Sequence, residues 1–232
     1  MAKGDRQGIP STQVIIAALN EEEGIGLTIA ELMDYLVCPQ VLVVDGRSTD
    51  RTVEIAKDMG AEVIFQDGLG KGDALAKALK HSDLAVDYVV VTDADYTYPA
   101  EHIPEMIQIL EKNSHVGMVC GNRFSSDLHL GERHTILYFG NRLLSFTHNL
   151  LNGVQLVDPL TGLRAVRAGI LKNWNVKSTG FDIEVELNHH VEREGFDIVE
   201  VPIKYRERLG EKKLRVNNGA EILRRMILET TY

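Results

Sequence analysis

Three apolar runs, Val14 to Ala18, Val41 to Val44 and Tyr88 to Thr92, constrain this chain more than any other feature. They are apolar at nearly every position rather than at alternate ones, so the strands they form must be buried on both faces. Between them the spacing turns helical: Ile25, Ile29, Leu32, Met33 and Leu36 fall on one helix face. Ser48 or Thr49 can cap a second helix that runs towards Met59 and stops at Gly60. Val63 to Phe65 reads as a further strand, followed by a Gly-rich turn and a helix from about Asp73 to Lys80. Continuous apolar strands alternating with helices predict a mostly parallel sheet with helices on both faces, an α/β fold of Rossmann-like type. Ligands of such sheets bind beyond the carboxyl ends of the strands. Asn20-Glu21, Asp45 and Asp93-Ala94-Asp95 all sit at strand ends, so they converge on one edge.

The second half is less regular. It predicts a strand at Val116 to Cys120, an apolar helical stretch from Ile136 to Leu151, a helix at about Asp182 to Glu194, a strand at Ile198 to Ile203 and an amphipathic helix after Asn218. There is no internal repeat and no Pro/Gly/Ser linker, so the 232 residues read as one domain.

Composition removes several function classes. At 44% hydrophobic residues the chain is not disordered. No stretch reaches the ~18 to 20 apolar residues of a membrane span, and Met1 to Arg6 lacks a signal peptide's apolar run, which predicts a cytoplasmic protein. Cys38 and Cys120 lie in apolar surroundings and read as two buried thiols. A net charge of −9 argues against nucleic-acid binding. Lys204 to Arg225 nevertheless holds eight basic and three acidic residues, which suggests an anionic ligand or surface.

Asp93-Ala94-Asp95 ends a buried strand, and two carboxylates there can hold a hard divalent cation, Mg²⁺ or Mn²⁺, that in turn carries a diphosphate. The same motif also arises by chance at the start of a helix, here before Pro99 and Pro104. Gly68 to Asp73 has neither Walker nor dinucleotide spacing, so a turn that places Lys71 on a phosphate competes evenly with a plain loop. Asp45 emerges from buried residues beside Ser48 and Thr49. The eight histidines lack ligand spacing and read as surface or satisfied core residues.

Taken in order, these segments resemble family 2 glycosyltransferases of the GT-A fold, and among them the dolichyl-phosphate or polyprenyl-phosphate sugar synthases such as dolichol-phosphate mannose synthase. Ala17 to Glu23 is similar to PAYNEEE, Val44 to Asp50 to VDDGSTD, Gly70 to Ala74 to GKGxA, Asp93 to Pro99 to DADLQHP and Gly121 to Phe124 to GSRY. Asp158 to Arg164 resembles DxxxGxR, Gly180 to Glu184 part of GFxxxxE, and Arg208 to Leu214 the RxGESKL ending. Ala17, Leu19, Gly46, Thr97, Leu137 and Lys212 depart from the family pattern.

The resemblance implies a metal-dependent inverting transfer of a sugar from a UDP- or GDP-sugar to dolichyl or polyprenyl phosphate. It implies nucleotide contacts from Ala17, Leu19, Glu21 and Asp45, with Lys71 near phosphate, and Asp93, Ala94 and Asp95 at the metal and diphosphate. Arg123 and Arg133 would grip the acceptor phosphate, with Arg208 and Lys213 closing over phosphate. Residues 13–112 would form the donor half, 113–215 the acceptor half and 216–232 the terminal helix. The apolar stretch at Ile136 to Leu151 would be a core helix or rest on a bilayer, giving a peripheral protein of the cytoplasmic membrane face, or one held by a small membrane subunit. Two alternatives stand beside this: a soluble acceptor activated by Asp182 or Glu184 as base, and a non-catalytic nucleotide-sugar-binding subunit.

Overall fold

The structure is a computed structural model that describes residues 8–125, 144–150, 155–211, 213 and 218–230. Seven strands form one sheet: β1 (Thr12–Ala18), β2 (Gln40–Asp45), β3 (Glu62–Phe65), β4 (Tyr88–Asp93), β5 (Val116–Asn122), β6 (Arg164–Arg167) and β7 (Asp197–Pro202). Their order is β3-β2-β1-β4-β6-β5-β7, with β6 antiparallel to both neighbours and every other pairing parallel. The helices are α1 (Ile25–Tyr35), α2 (Thr52–Asp58), α3 (Lys71–His81), α4 (Ile103–Lys112), α5 (residues 144–150), α6 (Ala168–Leu171), α7 (Ile183–Arg193) and α8 (Asn218–Thr230).

Successive side chains of one strand point to opposite faces, which is why the central runs are apolar throughout. Val14, Ile16, Val41, Val43 and Val90 pack with α1 and α4 on one face. Ile15, Leu42, Val44, Val89 and Val91 pack with α3 and α7 on the other. The predicted single-domain α/β sandwich is what forms.

The sequence reading had no place for β6 or α4. β6 is four residues long with arginine at each end, and Pro104 occupies the first turn of α4, where its missing N–H costs nothing. Other details also differ. Cys120 is buried but Cys38 is exposed. Neither Ser48 nor Thr49 caps a helix: α2 begins at Thr52, whose amide and hydroxyl both donate to Asp50. Of the apolar stretch at 136–151, residues 144–150 are helical, and the rest lies outside the described residues. Among the described residues no helix is long and apolar enough to cross a membrane.

A buried polar spine crosses the second half. Arg164 donates to Asn188 Oδ1 at 2.5 Å, and the Asn188 amide lies 3.2 Å from His148 Nε2 on α5. The His148 and His189 rings meet at 5.8 Å, and His148 Nδ1 and His189 Nε2 have no hydrogen-bond partner, so these are not satisfied core histidines. Burial, then His189 and Arg164, pushes His148 from its usual 6.5 down to about 4. Asn149 beside it works the other way. An unfolded chain takes up this proton below pH 6.5 and the fold refuses it until about pH 4, so stability falls as pH drops through that window. At pH 5 the loss from this group is expected to be about 2 kcal/mol. Urea midpoints at pH 7.5 and 5 check this: His148→Gln should shrink the acid loss, and an unchanged acid loss in the variant would refute the assignment.

Candidate active site

The sheet register sets the site. Ala18 pairs with Asp45 and Ala17 with Asp93, so Asp45, the end of β1 and Asp93 lie side by side across three adjacent strands. Asp45 is fully buried, and both its oxygens accept from Ser48, at 2.8 Å from the amide and 2.5 Å from the hydroxyl. Ser48 in turn accepts from the Asn20 amide, and Asn20 accepts from the Thr49 amide, which ties the two loops together. Ala17 is half-buried at this edge and Leu19 is exposed.

After β4 the chain turns sharply, with Tyr96 at φ 63°. Ala94 is buried under Gly24, where a Cβ would come within 2.7 Å of the Ala94 carbonyl oxygen. Asp95 is also buried, and its Oδ1 accepts from the Thr97 amide at 3.2 Å and hydroxyl at 2.6 Å. Burial, then the neighbouring Asp93, holds the Asp95 carboxyl above the usual carboxylate range.

Lys71 opens α3. Gly70 has φ +89°, and the turn is zipped to the segment before α7 by Gly72 N–H to the Gly180 carbonyl and Asp73 N–H to the Thr179 carbonyl. A Cβ at Gly72 would lie 2.4 Å from the Ser178 oxygen, so the glycines serve close approach. That approach delivers Lys71 Nζ to Asp93 Oδ1 at 2.6 Å and Glu184 Oε1 at 2.8 Å. Burial works against the ammonium, but the two carboxylates outweigh it and its pKa is raised. Lys71→Met leaves two carboxylates facing each other without their cation, and is expected to cost about 3 kcal/mol. A urea midpoint equal to the parent's would contradict this.

The segment after β7 crosses above this edge. Arg206 N–H donates to the Thr97 carbonyl, its guanidinium pairs with both oxygens of Glu31 at 2.8 and 2.6 Å, and it lies 4.3 Å over the Tyr96 ring. Arg208 then bridges Asp95 Oδ2 and Glu21 Oε1, and Lys213 reaches Glu21 Oε1 at 3.3 Å and the Asn20 carbonyl at 2.9 Å. Burial raises the Glu21 pKa, although Arg208 and Lys213 pull it down. Much of the basic excess at 204–225 is therefore spent on internal carboxylates, since Arg225 likewise pairs with Asp182 at 2.9 Å.

Arg123 follows β5 and is held by Asp158 through Nε at 2.6 Å and Nη2 at 2.7 Å. Burial opposes its charge, but Asp158 holds its pKa well above the ordinary value. Tyr205 lies 5.5 Å from this guanidinium, packs edge-on against Tyr98 at 5.1 Å and shares a hydrogen bond with Thr97, so a pair of tyrosines joins Arg123 to the Asp93–Asp95 turn. Tyr98 accepts from the Gly162 amide, and a Cβ at Gly162 would come 2.5 Å from Asp93 Oδ2. Arg133 lies outside the described residues. Sequence reasoning missed the roles of Tyr98, Gly162, Asp158 and Arg206. The DxxxGxR segment was the available signal for Asp158 and Gly162.

Asp93 and Asp95 offer oxygen ligands alone, the donor set of Mg²⁺ or Mn²⁺. Among the described residues no three His, Cys, Asp or Glu side chains form a cage. A Mg²⁺-type site needs none, because one or two carboxylates plus substrate phosphates complete it. Buried Glu21 Oε2 has no hydrogen-bond partner, which adds an unsatisfied acceptor beside Asp95. The residues present fit such a cation.

The fold is shared with glucosyl-3-phosphoglycerate synthase of Mycobacterium tuberculosis, whose complex with Mn²⁺, UDP-glucose and phosphoglyceric acid superposes at a TM-score of 0.75 over 96% of this chain and 80% of that one, at 22% identity. That likeness establishes the GT-A fold. The glycosyl transferase family 2 model matches residues 13–174, and the chain belongs to that family. It is 35% identical to a dolichyl-phosphate hexose transferase of Haloferax volcanii over 220 residues, 93% of this chain and 92% of the relative. It is 30% identical to an undecaprenyl-phosphate mannosyltransferase of Micrococcus luteus, with 86% of each chain covered. The protein is a glycosyltransferase.

Proposed function

We propose that the chain transfers a hexose from a UDP- or GDP-sugar to dolichyl or polyprenyl phosphate, with inversion at the anomeric carbon. The observation that carries this reading is the placement of Arg208 and Lys213 on the Glu21–Asp95 side of the site while Arg123 approaches from β5. Arg208 thus sits on Asp95 and Lys213 on Glu21, while Arg123 is joined to the aspartate turn through Tyr205 and Tyr98, so cationic groups serve both ends of the site, as a reaction between two phosphate-bearing substrates requires. The names of the Haloferax and Micrococcus relatives support a lipid phosphate as acceptor.

Residues 13–112 form the donor half, where Ala17, Leu19, Glu21 and the turn built by Asp45 line the nucleotide end. Residues 113–215 form the acceptor half. Asp93 and Asp95 would hold Mg²⁺ or Mn²⁺, which stabilises charge on the departing nucleoside diphosphate. Lys71 fixes Asp93, so it acts through that carboxylate rather than on a phosphate. Arg208 and Lys213 neutralise the diphosphate, and Arg123 with Arg133 orients the acceptor. An acceptor phosphate oxygen forms the new bond to the anomeric carbon as the bond to the diphosphate breaks, and the nucleoside diphosphate leaves with that electron pair. A phosphate monoester has its second pKa near about 6 and is already dianionic at neutral pH, so no proton needs removing. That agrees with Asp182 and Glu184, the two candidate bases, being held in ion pairs with Arg225 and Lys71.

Phe146 and Leu150 on α5, and Leu223, Ile227 and Leu228 with Arg224 on α8, are exposed. We assign them to peripheral contact with the membrane that holds the acceptor, on its cytoplasmic face. The test is to incubate the full chain with a panel of UDP- and GDP-sugars, Mg²⁺ or Mn²⁺ and dolichyl phosphate in detergent, and to seek the glycolipid by mass spectrometry. A hexosyl phosphodolichol from one donor supports the reading. Transfer only to water-soluble acceptors would overturn it.

A further inference from the structure

The segment that carries Arg208 is attached in two different ways on either side of Glu207. Up to Arg206 it is fastened to the body of the fold. Ile203 N–H donates to the Asn122 carbonyl, Arg206 N–H to the Thr97 carbonyl, and the Arg206 guanidinium is clamped between Glu31 and the Tyr96 ring. From Arg208 onward, among the described residues, every polar contact outside the segment goes to Asp95, Glu21 or the Asn20 carbonyl. The far part of this strap is therefore held by Asp95, which the proposed function gives to a cation, and by Glu21, which it gives to the nucleotide.

The two oxygens of Asp95 are both taken, Oδ1 by the amide and hydroxyl of Thr97 and Oδ2 by Arg208. The Thr97 contacts are local to the turn and buried, whereas Arg208 reaches across 113 positions from a segment without regular structure. A cation that ligates Asp95 through Oδ2 must remove Arg208 from it. The pairing as it stands is also imperfect. Arg208 Nε and Glu21 Oε2 are both buried without a hydrogen-bond partner, so this ion pair leaves one donor and one acceptor unused. Lys71 differs: it starts a helix, contacts two carboxylates and is 11% exposed in its side chain, so it stays where it is.

We infer that residues 207–211 together with Lys213 act as an exchangeable strap in which Arg208 and Lys213 occupy the Glu21–Asp95 carboxylates until a divalent cation takes Asp95, after which the two freed side chains pair with the donor diphosphate. The inference rests on the reading of Asp95 as a cation ligand and adds an order to it. Arg208 opposes cation binding on its own and favours cation and nucleotide together. Competition for one oxygen is reciprocal, so relieving it must tighten cation binding.

The experiment uses the full chain and Mn²⁺, followed through the free-ion electron paramagnetic resonance signal, with no activity readout. Arg208→Met keeps the aliphatic stem and removes the charge. It is expected to bind Mn²⁺ about tenfold more tightly than the parent when no nucleotide is present, and to bind UDP or GDP about tenfold more weakly once Mn²⁺ is present. Equal or weaker Mn²⁺ binding by Arg208→Met would overturn the strap. Asp95→Asn separates the two ideas. If it abolishes Mn²⁺ binding while Arg208→Met changes nothing, the cation site stands and the strap falls. If Mn²⁺ binds Asp95→Asn as well as the parent, the reading of Asp95 fails and takes the strap with it. A second measurement needs no variant. The Leu209 amide, which donates to the Asp95 carbonyl, should exchange hydrogen faster with Mn²⁺ alone and more slowly when nucleotide is added. Protection by Mn²⁺ alone would contradict the exchange.

Discussion

Asparagine in place of Asp95 is expected to lower turnover by roughly 10²- to 10³-fold, the scale lost when one preorganised electrostatic contact to a developing charge is removed. The fold should survive the change. Asparagine keeps an oxygen for the Thr97 amide and hydroxyl, which the aspartate now holds at 3.2 and 2.6 Å. Arg208 keeps Glu21 as a partner. Burial already makes the Asp95 carboxylate costly to ionise, and a neutral amide removes that cost. Turnover and thermal unfolding measured on one preparation separate the two effects. Wild-type turnover in Asp95→Asn would mean that the reacting diphosphate lies elsewhere.

Arg164→Met is expected to have the largest effect on stability, a loss of about 4 kcal/mol. Arg164 is 1% exposed and donates to the Thr161 carbonyl at 2.9 Å, the Pro159 carbonyl at 2.6 Å and Asn188 Oδ1 at 2.5 Å. Methionine fills much of the volume but leaves the Thr161 carbonyl and Asn188 Oδ1 without that donor, each worth about 1 to 3 kcal/mol when unsatisfied, while the Pro159 carbonyl keeps the Asn188 amide at 3.0 Å. Removing a buried charge returns part of its desolvation penalty, which keeps the expected loss below the sum of those terms. For a chain of this length the change corresponds to a fall of about 10 °C in the unfolding midpoint. Because Arg164 braces the turn containing Gly162, which abuts Asp93 and Tyr98, activity should fall with stability. A midpoint within a degree of the parent would show that the guanidinium is not the brace.

These two residues mark what the sequence makes legible and what it hides. Asp95 could be found because its surroundings follow local rules. β4 is apolar throughout as a strand buried on both faces must be, and the motif falls at its carboxyl end, where parallel sheets bind ligands. β1, β2 and the helix between them were readable from equally local rules. β6 was not. Arg164 and Arg167 violate the expectation that a buried strand is apolar, and they are tolerated because carbonyl and amide oxygens receive them, Arg167 serving the ends of α4 and β5. No spacing rule announces such a partner. Likewise Glu21 and Arg208 are 187 positions apart, and only the topology brings β1's loop under the strap. The Gly70–Gly72 turn was readable as a turn, but whether Lys71 faced a phosphate or a carboxylate depended on where α7 lies. The histidines lack ligand spacing and read as surface or satisfied core residues, but spacing could not reveal that His148 and His189 are buried with unpartnered nitrogens.

In the proposed reaction a lipid-borne phosphate, and not a hydroxyl activated by a base, attacks the donor. Nucleotide release by the full chain should be measured with the donor that gives glycolipid, in parallel with dolichyl phosphate, unphosphorylated dolichol and a soluble phosphate monoester. The expected result is release that depends on dolichyl phosphate, is absent with dolichol and is lost in Asp95→Asn. Release at the same rate with dolichol, or with the soluble monoester in place of the lipid, would contradict it.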